Sequence, residues 1–432
     1  MKQIARHIFD HALRESSISK AFARHLHCER GVLRICDDLY DLSAYSRVFV
    51  IAIGKAAHTM LVALHELAGA RFEGIVASSV EPEFQIRGFR YFLGGHPLPN
   101  AESIRAAEAL LKSLNTLNEL SLVIYLVSGG GSAAAEKPLD DEISLDDLIA
   151  TYRALVHSGA PIAEINAIRK HLSAIKGGRL AQAAYPAHRV SILVSDVPDN
   201  TPDALAAGPT MPDSTTAEDC YALAAKYKMQ FPPSVQELFE RRALDETPKS
   251  DDPAFIRARY WTVLSNAALL KAAAEEGWRQ GFMVEIDNTC DDWDYAEAAD
   301  YLLQRLRDLR QKHQRLCLLS GGEVTVRVEN GGAGGRNQQF VLYCAEKLCA
   351  EKIAAENVCI LSAGSDGIDG NSPAAGAVVD ETTLARARAR GLDASKHLGS
   401  FNAYPFFEAL GDAIVIGATG NNLRDLRILL AA

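Results

Sequence analysis

The sequence predicts an α/β protein of two domains, each built on a mainly parallel sheet, and three observations lead there. Seven short runs rich in Val, Ile and Leu recur along the 432 residues, each ends in small or polar residues, and a helical pattern usually follows. Near-continuous apolar strands alternating with helices belong to a parallel sheet covered on both faces, with ligands outside the carboxyl ends of the strands. Between the third and fourth runs, KMQFPPSVQELFERRALDETPKSDDPAF is rich in charge and proline. It predicts a boundary between about Phe231 and Pro253, hence domains of residues 1–235 and 236–432.

The elements follow in chain order. MKQIARHIFDHALRES sets Ile4, Ile8, Phe9 and Leu13 on one face with Asp10 and Glu15 among them, an amphipathic first helix rather than a signal or transit peptide. A cytoplasmic protein is expected. In IAIGKAAHTML a strand passes through Gly54 into Lys55 at a helix start, where the helix dipole disfavours a cation unless an anion faces it. A P-loop would need Gly in place of Phe49 and Ser or Thr in place of Ala56.

VSGGGSAAAE formally meets G-x-G-x-x-A through Gly129, Gly131 and Ala134. A dinucleotide site also needs an acid at the end of a second strand about 20 residues on, and the polar, helical EKPLDDEISLDDLIATYRALV stands there instead. The loop Ser128, Gly129, Gly130, Gly131, Ser132 suits phosphate or carboxylate held on backbone N–H groups. In INAIRKHLSAIKGGRLA, Ile165, Ile168, Leu172 and Ile175 form an apolar stripe, Asn166, Arg169, Ser173 and Lys176 a polar one, and Gly177 a cap. That polar stripe is either a binding face or a solvated face whose cations favour the helix C-terminus.

LCLLSGGEVTVRVENGGAGGRNQQFVL reads as two strands joined by SGGE, the second carrying Val324, Val326 and Val328, then a glycine turn and a helix from Asn337 to Cys349. Arg336 stands at that helix start, which makes sense if an anion is shared there by the backbone and the guanidinium; the alternative is a solvated hairpin. Three acids follow strands directly: Asp196, Glu323 and Asp366, the last with Asp369 nearby. Acids and cations at one sheet edge suit magnesium-assisted phosphoryl transfer, although each acid alone also suits a cap or turn.

Composition narrows the partners. A net charge of -10 and a pI near 5.7 argue against a general nucleic-acid or anionic-membrane binder and leave small molecules. No run of about 18 apolar residues exists. The eight cysteines form no C-x-x-C pair and several lie in apolar runs, as buried thiols do.

Together GKA, SGGGSA, NAIRKHLSAIKGGRLA, SDVP with AAGPTMPDSTT, LSGGEVTV, GGRNQQF, SAGSDGIDG, AAGA and FFEALGDAIVIGATGNNLRDLRI resemble the type II glycerate kinases of the MOFRL family, over about residues 50 to 428. The resemblance implies two α/β domains with mainly parallel, Rossmann-like sheets, the second of MOFRL type, and an active site in the interdomain cleft. It implies ATP-dependent, Mg2+-assisted phosphorylation of D-glycerate, or a related 2-hydroxy acid, to the 2-phosphate. Lys55 and Arg336 look like the family's active-site cations, with Asp196 beside them as a catalytic acid; Asp196, Glu323 and Asp366 are the expected metal ligands. Ser128 to Ser132, Asn166, Arg169, Lys176, Asn337 and Asn421 are the expected substrate and phosphate ligands. A homodimer is left open.

VPDNTPDALAAGPT lacks the Gly-Asp-Asp expected after SDVP, Gln339 stands where glutamate is common, and IGATGNNLRDL replaces TGPTGTNVNDL. These departures bear on which hydroxy acid is used, the loop from Asp199 to Asp203 first. The competing readings are an NAD(P)-dependent hydroxypyruvate reductase, which the missing dinucleotide acid disfavours, and a non-catalytic binding protein, which would need no converging acids.

Overall fold

The computed structural model describes residues 1–69, 72–328, 331–350 and 357–432. They form two compact units, residues 18–263 and residues 1–17 with 264–432. The chain starts with α1 (Lys2–Glu15) in the second unit, and Ala5, Ile8, Phe9 and Ala12 are its buried face.

The first unit runs α2 (Ile18–His25), an antiparallel meander β1 (Leu26–Glu29), β2 (Val32–Ile35) and β3 (Asp38–Asp41), then β4 (Arg47–Ile53), α3 (Ala57–Ala68), β5 (Glu73–Ser78), β6 (Phe89–Leu93), α4 (Ala101–Leu114) and β7 (Ser121–Ser128). There follow α5 (Gly131–Ala134), α6 (Leu145–His157), α7 (Ile162–Leu172), α8 (Arg179–Ala183), β8 (His188–Val194), α9 (Ala217–Lys226), α10 (Pro233–Glu240) and β9 (Ala258–Leu264). The main sheet has the order β6-β5-β4-β7-β8-β9, and the first five strands are parallel. Strand β7 is buried at every residue, as its unbroken apolar run requires. Strand order reverses between β4 and β7, because β4 leads outward to β5 and β6 on one side while β7 and β8 add to the other. That reversal opens a crevice at the carboxyl ends of β4 and β7.

The second unit continues with α11 (Asn266–Arg279), β10 (Met283–Ile286), α12 (Tyr295–Arg310), β11 (Leu316–Ser320), α13 (Arg336–Ala350), β12 (Val358–Gly364) and β13 (Gly376–Asp380). It closes with α14 (Thr383–Ala389), α15 (Ala394–Gly399), α16 (Ala403–Leu410), β14 (Ala413–Ile414) and β15 (Asp425–Ala431). Its sheet order is β10-β11-β15-β12-β13-β14. The expectation of a mainly parallel sheet is corrected here: β10 and β11 are parallel, but β15 is antiparallel to both β11 and β12, and β13 to both β12 and β14. No helix separates β12 from its sheet neighbour β13. A parallel neighbour needs a crossover of a dozen or more residues, usually helical, so this link turns the chain back.

Two further expectations change. Val324, Val326 and Val328 form no second strand; Thr325 makes an isolated bridge to Asp294, because β10 and β15 already occupy both edges of β11. The chain also divides elsewhere than between Phe231 and Pro253. The proline- and charge-rich stretch carries α10 and then crosses to β9, which completes the edge of the first sheet, while α1 packs on α11 and against β12, β13 and β15. Cys317, Cys344 and Cys359 are buried, as their apolar runs predict, and so are Cys220 and Cys290.

Candidate active site

In the first unit the two glycine turns meet at the crevice. Lys55 directly precedes Ala56, the N-cap of α3, and its backbone N–H donates to Gly129 O at 2.8 Å; Ala56 N–H donates to Ser128 Oγ at 3.1 Å. A β-carbon on Gly129 would overlap the carboxylate of Asp196, just past β8, and one on Gly130 would stand 3.0 Å from Lys55 Cγ. Glycine at these two positions lets an acid and a cation close on one turn. The Lys55 side chain is exposed and has no ion-pair or hydrogen-bond partner among the described residues.

Beside this turn lies a pocket of about 250 Å³ whose wall includes Gly130, Ser132, Tyr152, Asn166, Arg169 and Asp196. The sequence singled out five of these six. Helix α7 sets Asn166 and Arg169 on one face, three residues apart, and Arg169 Cζ lies 4.7 Å from the Tyr152 ring centroid. Ser132 and Asn166 make no side-chain hydrogen bond among the described residues, and Arg169 Nε is buried without one.

The expected polar stripe does not hold beyond Arg169. Helix α7 stops at Leu172, and Ser173 and Lys176 turn inward. Lys176, 1% exposed, pairs with the fully buried Glu136 and donates to Tyr152 Oη at 2.9 Å, while Ser173 Oγ donates to Glu136 at 2.6 Å. A buried carboxylate needs a partner, and Lys176 is that partner rather than a ligand for substrate. Burial holds its ammonium pKa well below the usual lysine value. Ser128 and Gly131 likewise brace the turn: Ser128 Oγ is buried against Ala56 N, and Gly131 packs against Ala206 and Ile53.

In the second unit Glu323, Arg336, Asp366 and Asp369 line one cavity of about 640 Å³. Arg336 is the first residue of α13, and the anion its position demands comes from the chain itself. Its Nε and Nη2 donate to Asp425 Oδ2 and Oδ1 at 2.7 and 3.0 Å, and Nη2 lies 2.7 Å from Glu323 Oε1. Burial opposes the charge, but Asp425 and then Glu323 outweigh it and raise the guanidinium pKa. Asp369 supplies the second anion, accepting the backbone N–H groups of Asn337 and Gln338 at 3.0 and 2.9 Å and both side-chain amides. Its own burial lifts its pKa to about 6 against the pull of those bonds.

Two expected ligands are therefore structural. Asn337 bridges Asp369 and Ser362, 1% exposed, and Asn421 Nδ2 donates to Ser16 O beyond α1, while the neighbouring Asn422 lines the cavity. Among the described residues no three His, Cys, Asp or Glu side chains come together as a metal cage.

Sequence reasoning missed His96, Tyr152, Lys170 and Asp425. His96 follows β6 in GGHPLP and lies by the same pocket; loss of solvent and then the Lys55 charge lower its pKa. Lys170 is buried between Asp203 and Asp213, at 3.0 and 3.1 Å, and so anchors the loop expected to tune the substrate. Asp425 gave one signal, an acid opening an apolar strand.

A family model described as a domain of unknown function, DUF4147, matches residues 4–240, and the MOFRL family matches residues 316–425. The chain is 36% identical to D-glycerate 2-kinase of Thermotoga maritima over 390 residues, 88% of this chain and 90% of that protein. The chain belongs to the glycerate kinase family. It is also 34% identical over 391 residues to a protein of Agrobacterium vitis named putative hydroxypyruvate reductase, across 89% of this chain and 87% of that one. A solved glycerate kinase of Thermotoga maritima superposes with a TM-score of 0.85 at 32% identity, covering 100% of this chain and 99% of the other.

Proposed function

We propose that the protein transfers the terminal phosphoryl group of ATP to the 2-hydroxyl of D-glycerate, giving 2-phospho-D-glycerate, with Mg2+ assisting. The observation that carries this reading is the crevice between β4 and β7, where a lysine unpaired among the described residues, a glycine turn and an aspartate meet. Phosphoryl transfer asks a protein for positioning and charge neutralisation more than for covalent chemistry, and these groups supply both. Lys55 offers a flexible point charge to phosphate oxygens, the turn offers backbone N–H groups, and Asp196 accepts the hydroxyl proton or ligates the metal. Arg336 adds a second cation, whose Nη1 has no partner among the described residues.

Glu323 and Asp366 are the metal-binding acids of the second unit in this reading. Their fit is to Mg2+, which binds through one or two carboxylates, waters and substrate phosphates rather than through a protein cage. When bound, the ion neutralises phosphate charge.

Purified protein given D-glycerate, ATP and Mg2+ should release ADP and a phosphoglycerate, and EDTA should stop it. Enolase should then convert the product to phosphoenolpyruvate without a mutase. A second reading, reduction of hydroxypyruvate by NAD(P)H, draws on the Agrobacterium vitis relative's name. NAD(P)H consumed with hydroxypyruvate and no ADP from glycerate would replace the first reading by the second.

A further inference from the structure

We infer that the pocket beside the glycine turn receives the carboxylate of the hydroxy-acid substrate, with Arg169 as its counter-ion and the nucleotide bound elsewhere. This rests on the kinase reading and narrows it, since phosphate and carboxylate are both anions that a guanidinium takes. Four features of the pocket decide between them.

The first is unmet demand. Arg169 Nε is buried without an acceptor, and Asn166 and Ser132 on the same wall have no side-chain partners among the described residues. A buried donor left unpaired is costly, so Arg169 calls for an acceptor that the described residues do not provide, and Asn166 and Ser132 line the same pocket. The second is rigidity. Arg169 lies 4.7 Å over the Tyr152 ring, and the Tyr152 hydroxyl is fixed in turn by Lys176 at 2.9 Å and by Glu136. Lys176, expected from the sequence as a ligand, thus pairs with Glu136 to hold the platform under Arg169.

The third is size. A pocket of about 250 Å³ lies below the roughly 300–1,000 Å³ that drug-sized ligands fill. It admits a three-carbon acid and is too small for a nucleoside triphosphate. The fourth is charge balance. Asp196 shares the wall with Arg169, so a hydroxy acid can set its carboxylate on Arg169 and turn a hydroxyl toward Asp196. A substrate with one anion and one hydroxyl matches the pattern group for group.

Arg169→Gln keeps most of the side-chain volume and removes the charge. In steady-state assays it should raise KM for D-glycerate by about 10- to 100-fold, the loss of one charge-assisted pair, and leave KM for ATP within about twofold. D-glyceraldehyde, which lacks the carboxylate, should lose its disadvantage against D-glycerate in the variant. Without nucleotide, D-glycerate should raise the thermal midpoint of the wild-type protein and not that of Arg169→Gln. A raised KM for ATP with an unchanged KM for D-glycerate would overturn the assignment and give the pocket to phosphate. If the wild-type protein makes no ADP, the kinase reading has failed, and the thermal arm with D-glycerate still decides whether Arg169 binds a hydroxy acid.

Discussion

A guanidinium at the first turn of a helix faces the positive end of the dipole, and Arg336 is held there by carboxylates at its Nε and Nη2 edge. Asp425 is fully buried and grips two nitrogens at once, so it fixes the plane of the guanidinium as well as its charge. If Arg336 stabilises the transferred phosphoryl group, Asp425 acts only through it. Arg336→Ala should lower kcat by roughly two to five orders of magnitude, and Asp425→Asn by roughly one to two, from lost orientation. In the Arg336→Ala background, Asp425→Asn should then cost nothing more. The readout is kcat for the four members of the cycle, with thermal midpoints as the folding control. Equal losses in both backgrounds would make Asp425 a structural residue, and an unimpaired Arg336→Ala would remove the arginine from the mechanism.

The start of α13 shows what periodicity conveys and what it leaves out. The glycine turn and helix were legible because GGAGGRNQQF combines residues that tolerate positive φ with a helical apolar pattern, and the helix begins at Arg336. The requirement for an anion was legible too, from the clash of arginine and dipole. Its source was not, because Asp369 and Asp425 lie 33 and 89 residues further on and only the fold brings them back. The alternation of Val324, Val326 and Val328 misled for the same reason: the pattern was present, but no sheet edge was left to receive it. Asp369 makes the capping arrangement testable by pH. Its carboxyl titrates near 6 in the folded protein against a reference of 3.8, so between those values the folded state binds the proton more tightly than the unfolded chain. Stability from this group is therefore full below about pH 4 and is lost as pH rises through 6, by roughly 3 kcal/mol over the interval. The ion-paired Asp213 and Asp380 shift the other way, so the effect must be read by difference. Urea titrations at pH 4.5 and 7 should show wild type losing stability relative to Asp369→Asn as pH rises. A constant difference between the two proteins would mean that Asp369 stays ionised throughout.

At the scale of the molecule, each compact unit carries one cation without which the proposed reaction should fail: Lys55 on the first and Arg336 on the second. The existence of two α/β units was legible in the alternation of apolar runs and helices, but their limits were not. Proline and charge mark a surface path, and the path from α10 to β9 is a connection inside the first unit. The return of α1 to the second unit is invisible to local pattern, because Ala5, Ile8 and Phe9 specify a buried face and not the element that buries it. What the division does make testable is interdependence. Lys55 is exposed and unpaired among the described residues, so Lys55→Ala should move stability by no more than about 0.5 kcal/mol while lowering kcat by roughly two to three orders of magnitude. If Lys55 and Arg336 act as one unit on the transferred group, so that neither works without the other, their losses do not multiply. The Lys55→Ala, Arg336→Ala double variant should then turn over within about tenfold of the slower single variant. Losses that multiply would mean that each cation contributes to the rate independently of the other.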